Sequence, residues 1–261
     1  MTQNLFITQT GAVARITLTQ PQIRNAFSDE AIADITAAFI DVGARPGVRA
    51  VVLAAEGPAF CAGANLHWMR RMADYTRDEN IADAGKLAEM LRVIAECPQP
   101  TIARVQGDVY AGGMGLVAAC DVAVAVDTAG FCLSEVKIGL IPATISPYVI
   151  RAMGARAAQR YFLTAERFDA AEALRIGLVH EVVPADQLDA KVDQLLQALT
   201  SASPNAVRAC KKLVRDVAGR EIDAALIAAT VEGIADIRAS AEGREGVQAF
   251  LQKRKPSWLG G

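Results

Sequence analysis

Two small-residue stretches and one acid carry the types and spacing that could do chemistry. Phe60-Cys61-Ala62-Gly63-Ala64-Asn65-Leu66 and Ala111-Gly112-Gly113-Met114-Gly115 each lie between an apolar, β-rich run and a helix-like segment, and Glu135 follows the apolar run from Gly130 to Leu133. The first N–H groups of a helix have no partner within it, so both stretches can turn backbone donors toward a developing negative oxygen. A lone carboxylate among apolar neighbours has its pKa raised and can give or take a proton near neutral pH. Together these parts suit proton transfer at a carbon next to a carbonyl whose oxygen is held as an oxyanion. The glycine stretch lacks GxGxxG with an acidic residue at the required distance, so no nicotinamide or flavin site is expected.

The elements that must position these residues read as alternating strands and helices. Val13 to Leu18 alternates as a half-buried strand does, and Gln20-Pro21 stops it. Ser28 is a candidate N-cap for a helix bearing Ile32, Ile35 and Phe39, closed by Gly43 and Pro46. Ala50 to Ala55 reads as a buried strand, and a long helix runs from about Glu79 to Glu96, before Cys97-Pro98. Thr101 to Gln106 is the next strand, then the glycine loop, a short helix through Cys120 and a strand from Val122 to Val126. Repeated strand, loop and helix units predict an α/β fold. Beyond Gly139-Leu140-Ile141-Pro142 the pattern is helical, apart from a short strand candidate at Leu178 to Val183. Leu188, Val192, Leu195, Leu196 and Leu199 make one helical stripe, and the last eighty or so residues suit a lid or an assembly surface.

Bulk properties exclude several classes. The chain has 261 residues, about half of them apolar, enough to bury a sizeable core. A net charge of −2 is not that of a nucleic-acid binder. The five cysteines form no CxxC pair or Cys/His cluster, so they read as reduced, packed thiols, and no metal site is expected. Met1-Thr2-Gln3-Asn4 lacks the basic start and the apolar core of a signal peptide, so none is expected, and no apolar run approaches the roughly 20 residues that span a bilayer. A cytoplasmic protein with no membrane partner is expected.

The two stretches occur in order with Arg24-Asn25-Ala26, Gly107 through Asp121, Ser134-Glu135-Val136-Lys137-Ile138-Gly139-Leu140-Ile141-Pro142 and Phe250-Leu251-Gln252-Lys253-Arg254-Lys255-Pro256. This set resembles the crotonase, or enoyl-CoA hydratase/isomerase, superfamily over nearly the whole chain. The resemblance implies a spiral of ββα units at residues 1–190 holding the acyl-CoA site. It implies a helical C-terminal segment at 191–261 for trimerisation, or a hexamer of paired trimers, and for covering the CoA. It also implies Ala64 and Gly112 as the oxyanion hole, Glu135 as the catalytic acid/base, and Arg24, Ala26, Ala62, Leu66, Phe250 and Lys253 as the CoA-binding set. No separate cofactor is expected, because coenzyme A is part of the substrate.

One departure matters. Where the two-glutamate hydratases carry their second glutamate, three residues after the oxyanion glycine, this chain has Gly115. The single remaining glutamate suits either a hydratase that positions water by other means or a double-bond isomerase. The block from Asn65 to Met72, with Phe131 to Glu135 and Ile145 to Tyr148, is similar to bacterial methylglutaconyl-CoA and isohexenylglutaconyl-CoA hydratases, whose substrates carry a second carboxylate. His67 is therefore a candidate for orienting water, and Arg70 and Arg71 for meeting that carboxylate. His180 reads as structural, and Asp121 as a brace for the strand that follows it. A non-catalytic or RNA-binding relative is the alternative from another class, with Lys211, Lys212 and Arg215 as its dense basic cluster. Ser134 lacks the surroundings of a hydrolase nucleophile.

Overall fold

The computed structural model describes residues 4–260. The chain alternates between two sheets. Strands β1 (Leu5–Thr10) and β2 (Val13–Leu18) form an antiparallel hairpin that opens the larger sheet. Helix α1 (Asp29–Ala44) follows, its Ser28 Oγ accepting from the Ala31 N–H, with Ile32, Ile35, Phe39 and Val42 buried along one stripe. Then β3 (Ala50–Ala55) joins the large sheet and β4 (Ala59–Cys61) the small one, before α2 (Leu66–Met72) and α3 (Arg77–Ala95). The unit repeats as β5 (Thr101–Val105), β6 (Asp108–Tyr110) and α4 (Gly112–Ala119). It repeats again as β7 (Val122–Val126), β8 (Gly130–Cys132) and α5 (Ser146–Thr164). Each turn thus places one strand in each sheet and one helical layer outside, which is a spiral of ββα units.

The large sheet has the order β1-β2-β3-β5-β7-β10 and is parallel from β2 onward, with β10 spanning Glu181–Val183. The small sheet has the order β4-β6-β8-β9; its first three strands are parallel and β9 (Phe168–Asp169) runs against β8. One core runs through both sheets and includes Ile16, Phe39, Leu53, Phe60, Ile102, Met114 and Phe131.

Helix α3 begins two residues before the expected start because Thr76 and Glu79 form a reciprocal capping box. Helices α6 (Ala170–Arg175), α7 (Leu188–Ser201), α8 (Pro204–Val217), α9 (Ala224–Ala239) and α10 (Ala241–Leu251) complete the chain. The boundary expected at residue 190 falls inside α7, whose Leu188, Val192 and Leu196 are buried in the spiral's own core. Beyond α7, Leu213, Val214, Ile227, Val231, Val247, Phe250 and Leu251 are apolar side chains exposed on α8, α9 and α10. Among the described residues, no helix is long and apolar enough to cross a membrane.

Candidate active site

The site follows from the register of the small sheet. Cys61 of β4 is opposite Val109 of β6, and Val109 is opposite Phe131 of β8, so three parallel strands share one row. Ala64 comes three residues after Cys61, Gly112 three after Val109 and Glu135 four after Phe131. Adjacent strands lie about 4.8 Å apart, so all three residues leave the same sheet edge side by side, with Gly112 in the middle.

Backbone geometry then frees the donors. Ala64 forms an isolated parallel bridge with Phe27, in which Phe27 N–H donates to Gly63 O at 2.9 Å and Asn65 N–H donates to Phe27 O at 3.0 Å. In such a bridge residue 64 keeps its own N–H on the far side. Gly112 is the first residue of α4, where the N–H has no intrahelical acceptor. Among the described residues neither N–H has a hydrogen-bond acceptor. Ala111, at φ 47° and ψ −121°, turns the chain from β6 straight into α4 in a backbone region that L residues rarely adopt. Its N–H is tied to Cys132 O at 2.8 Å, which binds this turn to the strand leading to Glu135.

The glycines allow the loops to touch. A Cβ on Gly63 would lie 2.9 Å from Ala111 Cβ and 3.6 Å from Gly112 N, and one on Gly113 would lie 2.8 Å from Cys61 O. A Cβ on Gly112 would lie 2.4 Å from the end of the Phe27 ring.

Glu135 opens a short 3-10 turn after β8 and is half-buried. Its Oε2 is buried without a hydrogen-bond partner, and among the described residues it forms no ion pair, with Lys137 or any other cation. Burial pushes its carboxyl above the ordinary value, offset in part by its own backbone N–H. An unpaired, partly desolvated carboxylate is a group held ready to exchange a proton.

The remaining sequence candidates fall into three groups. Arg24, Ala26, Ala62 and Leu66 surround the first loop: Ala62 N–H donates to Arg24 O at 2.9 Å, Arg24 is exposed at φ 54°, and Leu66 is exposed. His67 and Arg70 are exposed on α2, the first with its backbone N–H on Asn65 Oδ1, while Arg71 pairs with Asp29. Phe250 and Lys253 stand exposed at the end of α10, which packs on α8 and α9. His180 Nδ1 accepts from the Ala123 N–H at 3.1 Å. Asp121 braces β5 as well as leading into β7: its Oδ2 accepts from Thr101 N and Oγ1 at 2.7 and 2.9 Å and meets Lys211 Nζ at 2.7 Å. Lys211 thus points inward and Lys212 pairs with Asp216, which dismantles the basic cluster suggested by their spacing. Cys61 lies under the loops, and burial pushes its thiol up to about 12.

Sequence reasoning missed two supporting residues. Asn25, buried at φ 53°, accepts from Gln20 N–H at 2.9 Å and donates to Glu56 O and Ala59 O at 2.8 and 2.9 Å, knotting the Arg24 turn to β4. Its type at a turn is a signal for positive φ. Phe27 both bridges Ala64 and backs Gly112, and nothing in its local sequence marks that.

Comparison with known proteins places the chain in a family. Residues 8–261 match the family model for enoyl-CoA hydratase/isomerase. The crystal structure of an enoyl-CoA hydratase from Shewanella pealeana superposes with a TM-score of 0.95 at 43% identity, covering 98% of this chain and 96% of that one. Pseudomonas aeruginosa AtuE gives 0.93 at 37% identity, with 98% and 99% covered. The mitochondrial enoyl-CoA hydratase domain-containing protein 3 of Mus musculus is 31% identical over 251 residues, 96% of this chain and 82% of its own length. With a fold, a match and relatives that all coincide over nearly its full length, the chain belongs to the enoyl-CoA hydratase/isomerase family and is an enzyme of that class.

Proposed function

We propose that the enzyme adds water across the double bond of a 2-enoyl-CoA thioester. The N–H groups of Ala64 and Gly112 hold the thioester oxygen, and Glu135 is the acid/base. The observation that carries this reading is the shared row of β4, β6 and β8, from which two unpaired donors and one unpaired buried carboxylate leave together. As water oxygen bonds to the β-carbon, Glu135 takes its proton and the π electrons move onto the thioester as an enolate. Glu135 then returns that proton to the α-carbon, so one molecule of water is added and the carboxylate is restored. Charge appears on the oxygen only as the α-carbon changes, which is why fixed donors there accelerate the step.

Branched substrates of the methylglutaconyl type, carrying a second carboxylate, suit the exposed Arg70 of α2, the helix that follows the first loop. Phe250 and Lys253 serve CoA bound by a neighbouring copy, and the apolar side chains exposed along α8, α9 and α10 are the surface that trimers or their hexamers cover.

A double-bond isomerase is the second reading, favoured by Gly115: with no carboxylate there, Glu135 can carry a proton from one substrate carbon to another without water. Following the absorbance of the conjugated thioester separates the two, since hydration removes it and isomerisation of a 3-enoyl compound creates it. Glu135→Gln should lower turnover by about 10²–10⁴-fold while acyl-CoA binding persists. Retained turnover in that variant would overturn both readings.

A further inference from the structure

Gly115 lies one turn along α4 from Gly112, on the same side of the helix. Gly85, Gly139 and Gly233 have open space where a side chain would start, but Gly115 does not. A Cβ there would lie 2.5 Å from Ile145 Cγ2, 2.9 Å from Ile145 Cβ and 3.3 Å from Leu91 Cδ2. Both partners are immobilised by burial: Leu91 is fully buried on α3, and Ile145 is 2% exposed at the residue that leads into α5. Ile145 also closes the segment that starts at Glu135, so the chain that delivers the acid delivers the obstruction ten residues later.

We infer that Ile145 is a specificity-determining residue: with Leu91 behind it, it occupies the space that any side chain at position 115 would need, and so keeps the α4 wall of the site apolar and Glu135 the only carboxylate there. This rests on the reading of the site given above. It means that residues 115 and 145 are mutually exclusive. A glutamate at 115 requires a small residue at 145, and the bulk at 145 requires glycine at 115. An apolar wall next to the oxyanion donors excludes a second hydrogen-bonded water and leaves proton transfer to one group.

Four variants measured for thermal stability test the exclusion: Gly115→Ala, Gly115→Ala/Ile145→Val, Gly115→Ala/Ile145→Ala and Ile145→Ala. Overpacking in Gly115→Ala should lower Tm by about 2–12 °C. Ile145→Val keeps both γ carbons and should not relieve it. Ile145→Ala removes the γ carbons, including the one at 2.5 Å, but keeps the Cβ at 2.9 Å, so it should relieve part of the strain, and the double variant should lose less Tm than the losses of the two single variants added together. A Gly115→Ala protein at or above wild-type Tm, or losses that simply add in the double variant, would overturn the inference.

The chemical arm uses Gly115→Glu/Ile145→Ala and crotonyl-CoA. Its kcat/KM profile should gain a second acidic ionisation that Ile145→Ala lacks, a change that repacking alone would not produce. A single limb in a folded double variant would also overturn the inference. The melts read the wall whether or not wild-type protein hydrates crotonyl-CoA, so failure of the proposed activity and failure of this inference are distinguishable.

Discussion

In the six-stranded sheet β3 is buried at all six positions and runs in register against β2 and β5, whereas β4 of the four-stranded sheet has three residues and its pairing with β6 shifts between Ala59 and Cys61. The long ladder closes its hydrogen bonds internally and contributes cohesion. The short ladders end together after two or three residues and release the chain into turns in which, among the described residues, the N–H groups of Ala64 and Gly112 have no acceptor. One sheet holds the molecule together; the other aims its backbone. Stability and chemistry are therefore separable here, although one core joins the two sheets.

Substitutions can break that separation or sharpen it. The largest effect on turnover outside Glu135 is expected from Gly112→Ala, whose Cβ would meet the Phe27 ring at 2.4 Å and displace the donor by a fraction of an ångström. Loss of about 10²–10³ in kcat is the expected scale for one oxyanion donor. Steady-state kinetics with circular dichroism would show the loss in folded protein.

Ile102→Ala in β5 is the counterpart in the large sheet, a fully buried residue whose truncation should cost about 2–5 kcal/mol of stability. Urea unfolding should register that cost while kcat of the folded enzyme holds. A fall in kcat comparable to that of Gly112→Ala would show that the two sheets are not separable.

Lys211→Ala removes the cation from Asp121, which would keep only Thr101 as partner, and should cost about 1–3 kcal/mol without changing turnover. The smallest effect is a pH dependence. The folded pKa of Glu135 is raised above its ordinary 4.5, so its carboxyl supports the fold fully below 4.5 and that support is lost as pH rises through the folded value. Glu135→Gln should therefore melt higher than wild type at neutral pH, and the two should converge on acidification below 4.5. A gap independent of pH would mean that the carboxyl is not desolvated as described. Activity has the opposite sign: the carboxylate must be free to take the first proton, so kcat should fall as pH drops through the raised pKa, where the fold is gaining support.

Legibility tracks this division. The strands at Val13–Leu18, Ala50–Ala55 and Val122–Val126 are visible as alternation or as unbroken apolar runs of five or six residues. β4, β6 and β9 are too short for any period to register, and β1 escapes because Thr8, Gln9 and Thr10 at its exposed end mask the pattern. The basic look of Lys211, Lys212 and Arg215 is misleading because charge in a sequence carries no direction, and only packing turns Lys211 toward Asp121.

Residue type and order alone determined the glycine loops, the lone glutamate after an apolar run, the absence of a carboxylate at 115 and the family those parts resemble, because each is a local chemical requirement written in adjacent residues. Tertiary structure decided which N–H groups stay free, that Glu135 Oε2 is buried without a partner, that Asn25 knots the first turn, and that Ile145 fills the space beside Gly115. Those facts depend on strand register and on contacts between residues tens of positions apart, and neither distance nor direction between such residues is encoded in any short stretch of chain.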